Sequence, residues 1–153
     1  ASDVYKRQGY TITSNQATLV AANSEVHDSG SCYNNTNGSV TLNGLTAPAY
    51  SFTPNIAGKY FIYFVNGIGA LADTNLESVN SSIYKNGSQV KISHFNLGAN
   101  PLHFITPVSN AIITLNGTGD YIQFYTTAED NSGNPFQQDG DYTQIGAFKV
   151  SST

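Results

Sequence analysis

The side chains of this 153-residue chain best suited to covalent, acid–base or metal chemistry are three histidines, one cysteine and two short acidic stretches. His27, His94 and His103 fall in separate segments, and no two are spaced as metal ligands on one strand or helix. Cys32 lies in Ser-Gly-Ser-Cys-Tyr-Asn-Asn, without a Gly-x-Ser-x-Gly elbow or a Cys-His pattern that would activate a nucleophile. As the single cysteine it closes no intrachain disulfide, and a half-buried free thiol is expected. Hard oxygen ligands gather at Glu129-Asp130-Asn131-Ser132-Gly133-Asn134 and at Asp139-Gly140-Asp141. Calcium would suit such loops, but neither has EF-hand spacing, so both are read as solvated turns. These residues imply no active site, no bound metal and no cofactor, and the chain is read as a protein that is not an enzyme.

Two further groups of residues bear on recognition. Tyr33, Tyr50 and Tyr142 each sit beside small or polar neighbours in loops, where a ring could stack on a sugar or meet a partner protein. Asn34, Asn37, Asn80, Asn86 and Asn116 each begin an Asn-x-Ser/Thr triplet, which carries glycan only in a eukaryotic secretory pathway. Lys and Arg total six and are scattered singly, with a net charge of −4, so no basic stripe exists to neutralise a phosphate backbone. Nucleic acid is not an expected partner.

The elements that hold these residues must come from a chain of unusual polarity. Only 10% of residues are charged, well below the roughly 25% of an ordinary domain, and Asn, Ser, Thr and Gly take their place. Such a surface offers little repulsion between copies and suits close-packed assemblies. No apolar run approaches the roughly 20 residues of a membrane-spanning helix. Residues 1–12 open with Asp3, Lys6 and Arg7 and lack strand-like alternation. They are read as an arm, linker end or sequence remnant, and residues 13–153 as one domain.

Helical periodicity is missing throughout, while short runs of Val, Ile, Thr, Tyr and Phe recur. Asn-Gly punctuates them at 37–38, 43–44, 66–67, 86–87 and 116–117, the dipeptide most favourable to tight hairpin turns. The spacing predicts a sandwich or barrel of about eight to ten strands. Tyr60-Phe61-Ile62-Tyr63-Phe64-Val65 carries large side chains on both faces, so one face needs a cover beyond the domain's own core, for which a neighbouring subunit is the economical candidate and the domain's own loops the alternative. Residues 82–92 read as a hairpin closed by Asn86-Gly87. The apolar final strand, residues 145–150, is expected inside a sheet and not at its edge.

The segment Ser51-Phe52-Thr53-Pro54-Asn55-Ile56-Ala57-Gly58-Lys59-Tyr60-Phe61-Ile62-Tyr63-Phe64 resembles the strand entry of C1q-like globular heads. The likeness continues through the Tyr84-Lys85-Asn86-Gly87 hairpin, Gly119-Asp120 opening a Tyr-x-x-Phe strand, and a Gly-aromatic terminal strand at Gly146 to Phe148. No Gly-X-Y stalk, tryptophan or cysteine pair accompanies it. The resemblance implies an all-β C1q/TNF-like jelly roll of about ten antiparallel strands that associates as a homotrimer. It implies that Tyr60, Ile62, Phe124 and Phe148 serve core, interface and axial packing. Some relatives bind calcium near the trimer apex; were an ion bound here, Asp130, Asp139 or Asp141 would carry it, although solvated turns remain the reading of both stretches. With the charge-poor composition, the expectation is a structural assembly and display module: a trimeric head, fibre tip or decoration protein on a virion or cell surface. The alternative on the same fold is a receptor- or carbohydrate-binding head, with a host glycan or protein as partner.

The absence of helical periodicity is checked by far-UV circular dichroism. Helix content should lie below about one-fifth, against a norm near one-third for soluble domains.

Overall fold

The computed structural model describes residues 2–6, 10–71, 74–130 and 132–152. Within them the regular structure is strand throughout: β1 (Ser2–Lys6), β2 (Tyr10–Ile12), β3 (Thr18–Leu19), β4 (Ser24–Asp28), β5 (Val40–Leu42), β6 (Leu45–Ala47), β7 (Gly58–Val65), β8 (Ile68–Ala70), β9 (Leu76–Lys85), β10 (Ser88–Asn96), β11 (Phe104–Ile105), β12 (Val108–Leu115), β13 (Ile122–Asp130), β14 (Phe136–Gln138) and β15 (Gln144–Ser151). The count exceeds the expected ten because several segments are short. One sheet has the order β12-β7-β15-β1-β4, and a second β10-β9-β13-β3. A small sheet, β11-β8-β14-β2, and the β5–β6 hairpin complete the domain, and every pairing is antiparallel.

The two larger sheets face each other because alternate residues of their strands are apolar. Tyr60, Ile62 and Phe64 of β7 turn inward with Ile113 and Leu115 of β12 and Ile145 and Ala147 of β15, and meet Ile83 of β9 and Ile122 and Phe124 of β13. The rings of Phe64 and Phe124 approach to 5.5 Å across the sandwich. A second apolar cluster, built on Ile12, Ile68, Leu76, Val79 and Phe136, lies towards the small sheet.

Also buried is a set of polar side chains centred on Asn66. Its amide donates to Ser81 Oγ at 2.9 Å and Thr126 Oγ1 at 2.8 Å, and its carbonyl accepts from Gln138 Nε2 at 2.7 Å. Burying an amide is tolerable here because these bonds replace those it would make to water.

The final strand is internal, as its apolar character requires: β15 lies between β7 and β1. Residues 2–6, placed by the sequence in an arm, run as β1 between β15 and β4, and Tyr10–Ile12 pairs with β14. Strand pairing uses main-chain groups that every residue type except proline supplies in full, so the polar character of this stretch does not exclude it. Ala1, Arg7, Gln8 and Gly9, the remainder of that expected arm below residue 10, lie outside the described residues.

Two of the five Asn-Gly pairs close hairpins. Asn43-Gly44 (φ 51° and 79°) joins β5 to β6, and Asn86-Gly87 (φ 51° and 78°) joins β9 to β10, the doubly left-handed geometry of a two-residue turn. Asn116-Gly117 instead crosses between sheets, since β12 pairs with β7 and β13 with β9.

That crossing is fastened to the β9–β10 turn by Asp120. Its carboxylate accepts from Asn86 Nδ2 at 2.7 Å and from the Asn116 main-chain N–H at 2.9 Å, and pairs with Lys85 Nζ at 2.9 Å. Burial alone would raise the Asp120 pKa, but the bonds from Asn86, Lys85 and Asn116, with the Lys85 charge, hold it below the ordinary aspartate value. A depressed folded-state pKa stabilises the fold above the unfolded aspartate range, and that contribution is lost as pH falls through the folded value. Asp120→Asn should therefore cost about 1–3 kcal/mol at neutral pH. Melts at a series of pH values should show the deficit closing as the solution is acidified.

Candidate functional site

The pleat of β7 sends its large side chains to opposite faces, with a burial pattern that alternates along the strand. Tyr60, Ile62 and Phe64 are 5%, 0% and 0% exposed, and Tyr60 Oη donates to Ile56 O at 2.7 Å. Phe61, Tyr63 and Val65 point outward and are half-buried. Register with the neighbouring strands then builds rows on this outer face. Ile112 of β12 stands opposite Phe61, which stands opposite Phe148 of β15. The next row runs Asn110, Tyr63, Gly146, Val4.

The rows are packed. Phe61 and Phe148 lie 5.2 Å apart between ring centroids, and Phe61 and Tyr63 6.4 Å, in tilted arrangements. Tyr63 lies across Gly146, where a Cβ would collide with its ring. Its hydroxyl accepts from Gln144 Nε2 at 2.9 Å. Burial raises the Tyr63 pKa, with the Gln144 bond opposing, so the phenol stays neutral at physiological pH. Despite this packing the face is open, with Ile112 64% and Phe148 39% exposed.

A second apolar surface lies along an edge. β10 ends the second sheet and is exposed over nearly its whole length, Val90, Ile92 and Phe95 included. It lies beside β12, the edge of the first sheet, where Ser93 Oγ donates to Val108 O at 2.8 Å and Val108 is itself exposed. Two adjacent sheet edges with exposed apolar side chains invite pairing or packing.

Of the residues named from the sequence, Tyr60, Ile62 and Phe124 are covered inside one chain and present almost no surface to another, while Phe148 stands on the outer face. The residues of β7 that strand parity turns outward are Phe61, Tyr63 and Val65. Ile112, beside the inward Ile113, shares that outer face. Counting outward from the fixed position of Phe64 against Phe124 would have found them.

The three loop tyrosines do not converge. Tyr33 is buried and bridges Phe52, near the Gly58 end of β7, where Phe52 meets Tyr60 at 5.5 Å. Tyr50 is half-buried at φ 48°. Tyr142 is exposed at the other end, beside Gly67 and edge-on to Phe104 at 5.3 Å.

The candidate chemical groups take local structural roles. Cys32 is buried, and its thiol donates to Gly30 O at 3.3 Å. Asp28 accepts the N–H groups of Gly30, Cys32 and Tyr33. A cleft of about 90 Å³ beside Cys32, lined by Phe52, Pro54, Ile56, Tyr60 and Lys149, falls short of the roughly 300 Å³ of a small-molecule site. His94 bonds Asn80, and His27 is exposed on β4. Asp130 and Asp139 accept the N–H groups of Ser132 and Asp141, two residues on, as turn caps. Asn131 lies outside the described residues. Among those described, no three His, Cys, Asp or Glu side chains are grouped to hold a metal ion, and no helix is long and apolar enough to cross a membrane.

No protein-family model and no curated protein matches the sequence. Solved structures do match in shape. The globular domain of zebrafish complement 1qA protein superposes with a TM-score of 0.60 over 99% of this chain and 98% of its own, at 10% identity. The fold is a C1q/TNF-like jelly roll. Murine APRIL at pH 5.0 aligns with this jelly roll at a TM-score of 0.62 and 13% identity, covering 98% and 100% of the two chains. Eiger TNF from S. frugiperda gives 0.58 at 9% identity over 99% and 93%. At these identities the likeness speaks for the jelly-roll architecture alone.

The Tyr63–Gly146 contact can be tested by a double-mutant cycle. Gly146→Ala should destabilise by about 1–3 kcal/mol through overpacking. With Tyr63→Ala present the same change should cost much less, a coupling measurable from paired thermal melts.

Proposed function

We propose that this chain is a non-enzymatic assembly and display module that works as a homotrimer. The observation that carries the reading is the open row Ile112–Phe61–Phe148, with Tyr63 beside it, on the outer face of the first sheet. An aromatic row packed in advance and left open to solvent is the mark of a surface that a protein partner covers. The partner is a second copy, because the same molecule carries a different apolar surface along β10 and β12 that suits it. Contact between two unlike patches is heterologous and is satisfied on every copy when rotation closes a ring. The resemblance to C1q-like heads supports a ring of three.

The same reading places the module at an exposed surface, as a head, fibre tip or decoration protein on a virion or cell exterior. The support is composition: with 10% charged residues, neighbouring copies meet little repulsion. A receptor- or carbohydrate-binding head working through Tyr33, Tyr50 and Tyr142 is less favoured, since Tyr33 is buried against Phe52 near one end of β7 while Tyr142 stands beside Gly67 past the other.

Light scattering on the purified chain should report the mass of three copies at micromolar concentration, and a monodisperse monomer would overturn the proposal. Phe61→Asp and Ile112→Asp should each release monomers that keep the wild-type circular dichroism spectrum. Tyr60→Ala should act differently, lowering the melting point of each copy by removing a core aromatic worth about 3–5 kcal/mol.

A further inference from the structure

We infer that Asn37 is the chain's site of spontaneous deamidation, so that the loop at residues 35–39 is chemically modified with age while the other Asn-Gly pairs are shielded. The reaction needs only water and a glycine on the C-terminal side. The deprotonated main-chain nitrogen of Gly38 attacks Asn37 Cγ, an N–C bond forms, the Cγ–Nδ2 bond breaks, and ammonia leaves with a proton. Water then opens the cyclic imide at either carbonyl, yielding aspartate or isoaspartate, with no change in oxidation state.

Five Asn-Gly pairs share this covalent arrangement, and the fold separates them. Asn43 Nδ2 is held by Gly30 O at 2.9 Å and Ser31 O at 3.0 Å. Asn66 is fully buried in its polar node, and Gly67 N, the would-be nucleophile, donates to Thr143 Oγ1 at 3.1 Å. Asn86 is held at both ends, Nδ2 by Asp120 and Oδ1 by the Tyr121 N–H at 2.9 Å. Asn116 Oδ1 accepts from Thr118 N at 2.9 Å and Asp120 N at 3.1 Å. In these four the side chain must first leave its partners.

Asn37 is exposed, and its side chain makes no hydrogen bond among the described residues. Space around the α-carbon of Gly38 is open, and its N–H is tethered only by a long bond to Thr36 Oγ1 at 3.4 Å. Both reacting groups are therefore free to meet.

Modification here has a structural consequence. Gly38 O accepts from Asn34 Nδ2 at 2.6 Å, and the same amide reaches Ala47 O at 3.0 Å and Pro48 O at 2.8 Å, fastening the β5–β6 hairpin from beneath. Isoaspartate would lengthen the main chain immediately before Gly38 and pull that carbonyl out of register, beside a new negative charge.

The test is to incubate the intact chain at mildly alkaline pH, well below its melting temperature, and follow the exchange of NH2 for OH by peptide-mapping mass spectrometry. Asn37 should react at least about tenfold faster than Asn43, Asn66, Asn86 and Asn116, since each ~1.4 kcal/mol of local opening slows a shielded site tenfold. Its rate should rise with pH, as the attacking nitrogen must lose a proton. In denaturant the five rates should converge, showing that the fold sets the selectivity. Asn37→Gln should remove the first acidic variant seen by ion exchange. Faster reaction at any of the other four in the native chain, or no reaction at Asn37 while the denatured chain reacts, would overturn the inference.

Discussion

Everything in this domain is arranged around a strand that is apolar on both faces. β7 offers Tyr60, Ile62 and Phe64 to one side and Phe61, Tyr63 and Val65 to the other. The first set is satisfied by the opposing sheet, which fixes the sandwich and brings β9 and β13 into place. The second set faces away from that sheet, among the outward residues of β12 and β15 that flank β7, and no described residue closes over it fully. A sheet of this kind is half-covered by its own chain and leaves its other face to solvent or to a partner.

The loops are held by a different economy, suited to a chain with few charges. Asp28, Asn34 and Asn116 each bind several main-chain groups at a turn or loop, and Asp120 joins one main-chain N–H to the side chains of Asn86 and Lys85. Short polar side chains can do this because they reach nearby N–H and C=O groups with little rotamer freedom to lose. The richness in Asn, Ser and Thr thus has a conformational use as well as a surface one.

The two apolar faces of β7, the hairpin at Asn86-Gly87 and the interior position of β15 were legible in sequence because each is written in a short run of adjacent residues. Face assignment was harder. In Tyr60-Phe61-Ile62-Tyr63 both parities are aromatic or aliphatic, so composition does not say which one meets the core and which faces outward. The Asn-Gly pairs at 66–67 and 116–117 have the local chemistry of hairpins, but the strands beside them pair elsewhere. β1 gave no apolar alternation to read, since main-chain pairing to β15 and β4 holds it. The unshielded state of Asn37 is invisible in sequence, where five identical dipeptides differ only in what folds against them.

The Asn66 node has a bearing on how the chain reaches this state. Its three side-chain partners lie 15, 60 and 72 residues away along the sequence. Until the segments containing Ser81, Thr126 and Gln138 have all arrived, an amide is shut away from water with its bonds unmade, and any compact intermediate that lacks one of them carries that penalty. Loop-closure entropy must be met before the bonds repay it. A domain whose interior is completed by contacts so distant in sequence belongs with the slow folders, on the order of milliseconds to seconds. The same node that makes the interior unique when finished makes partial collapse unrewarding, so the two sheets settle against each other late and together.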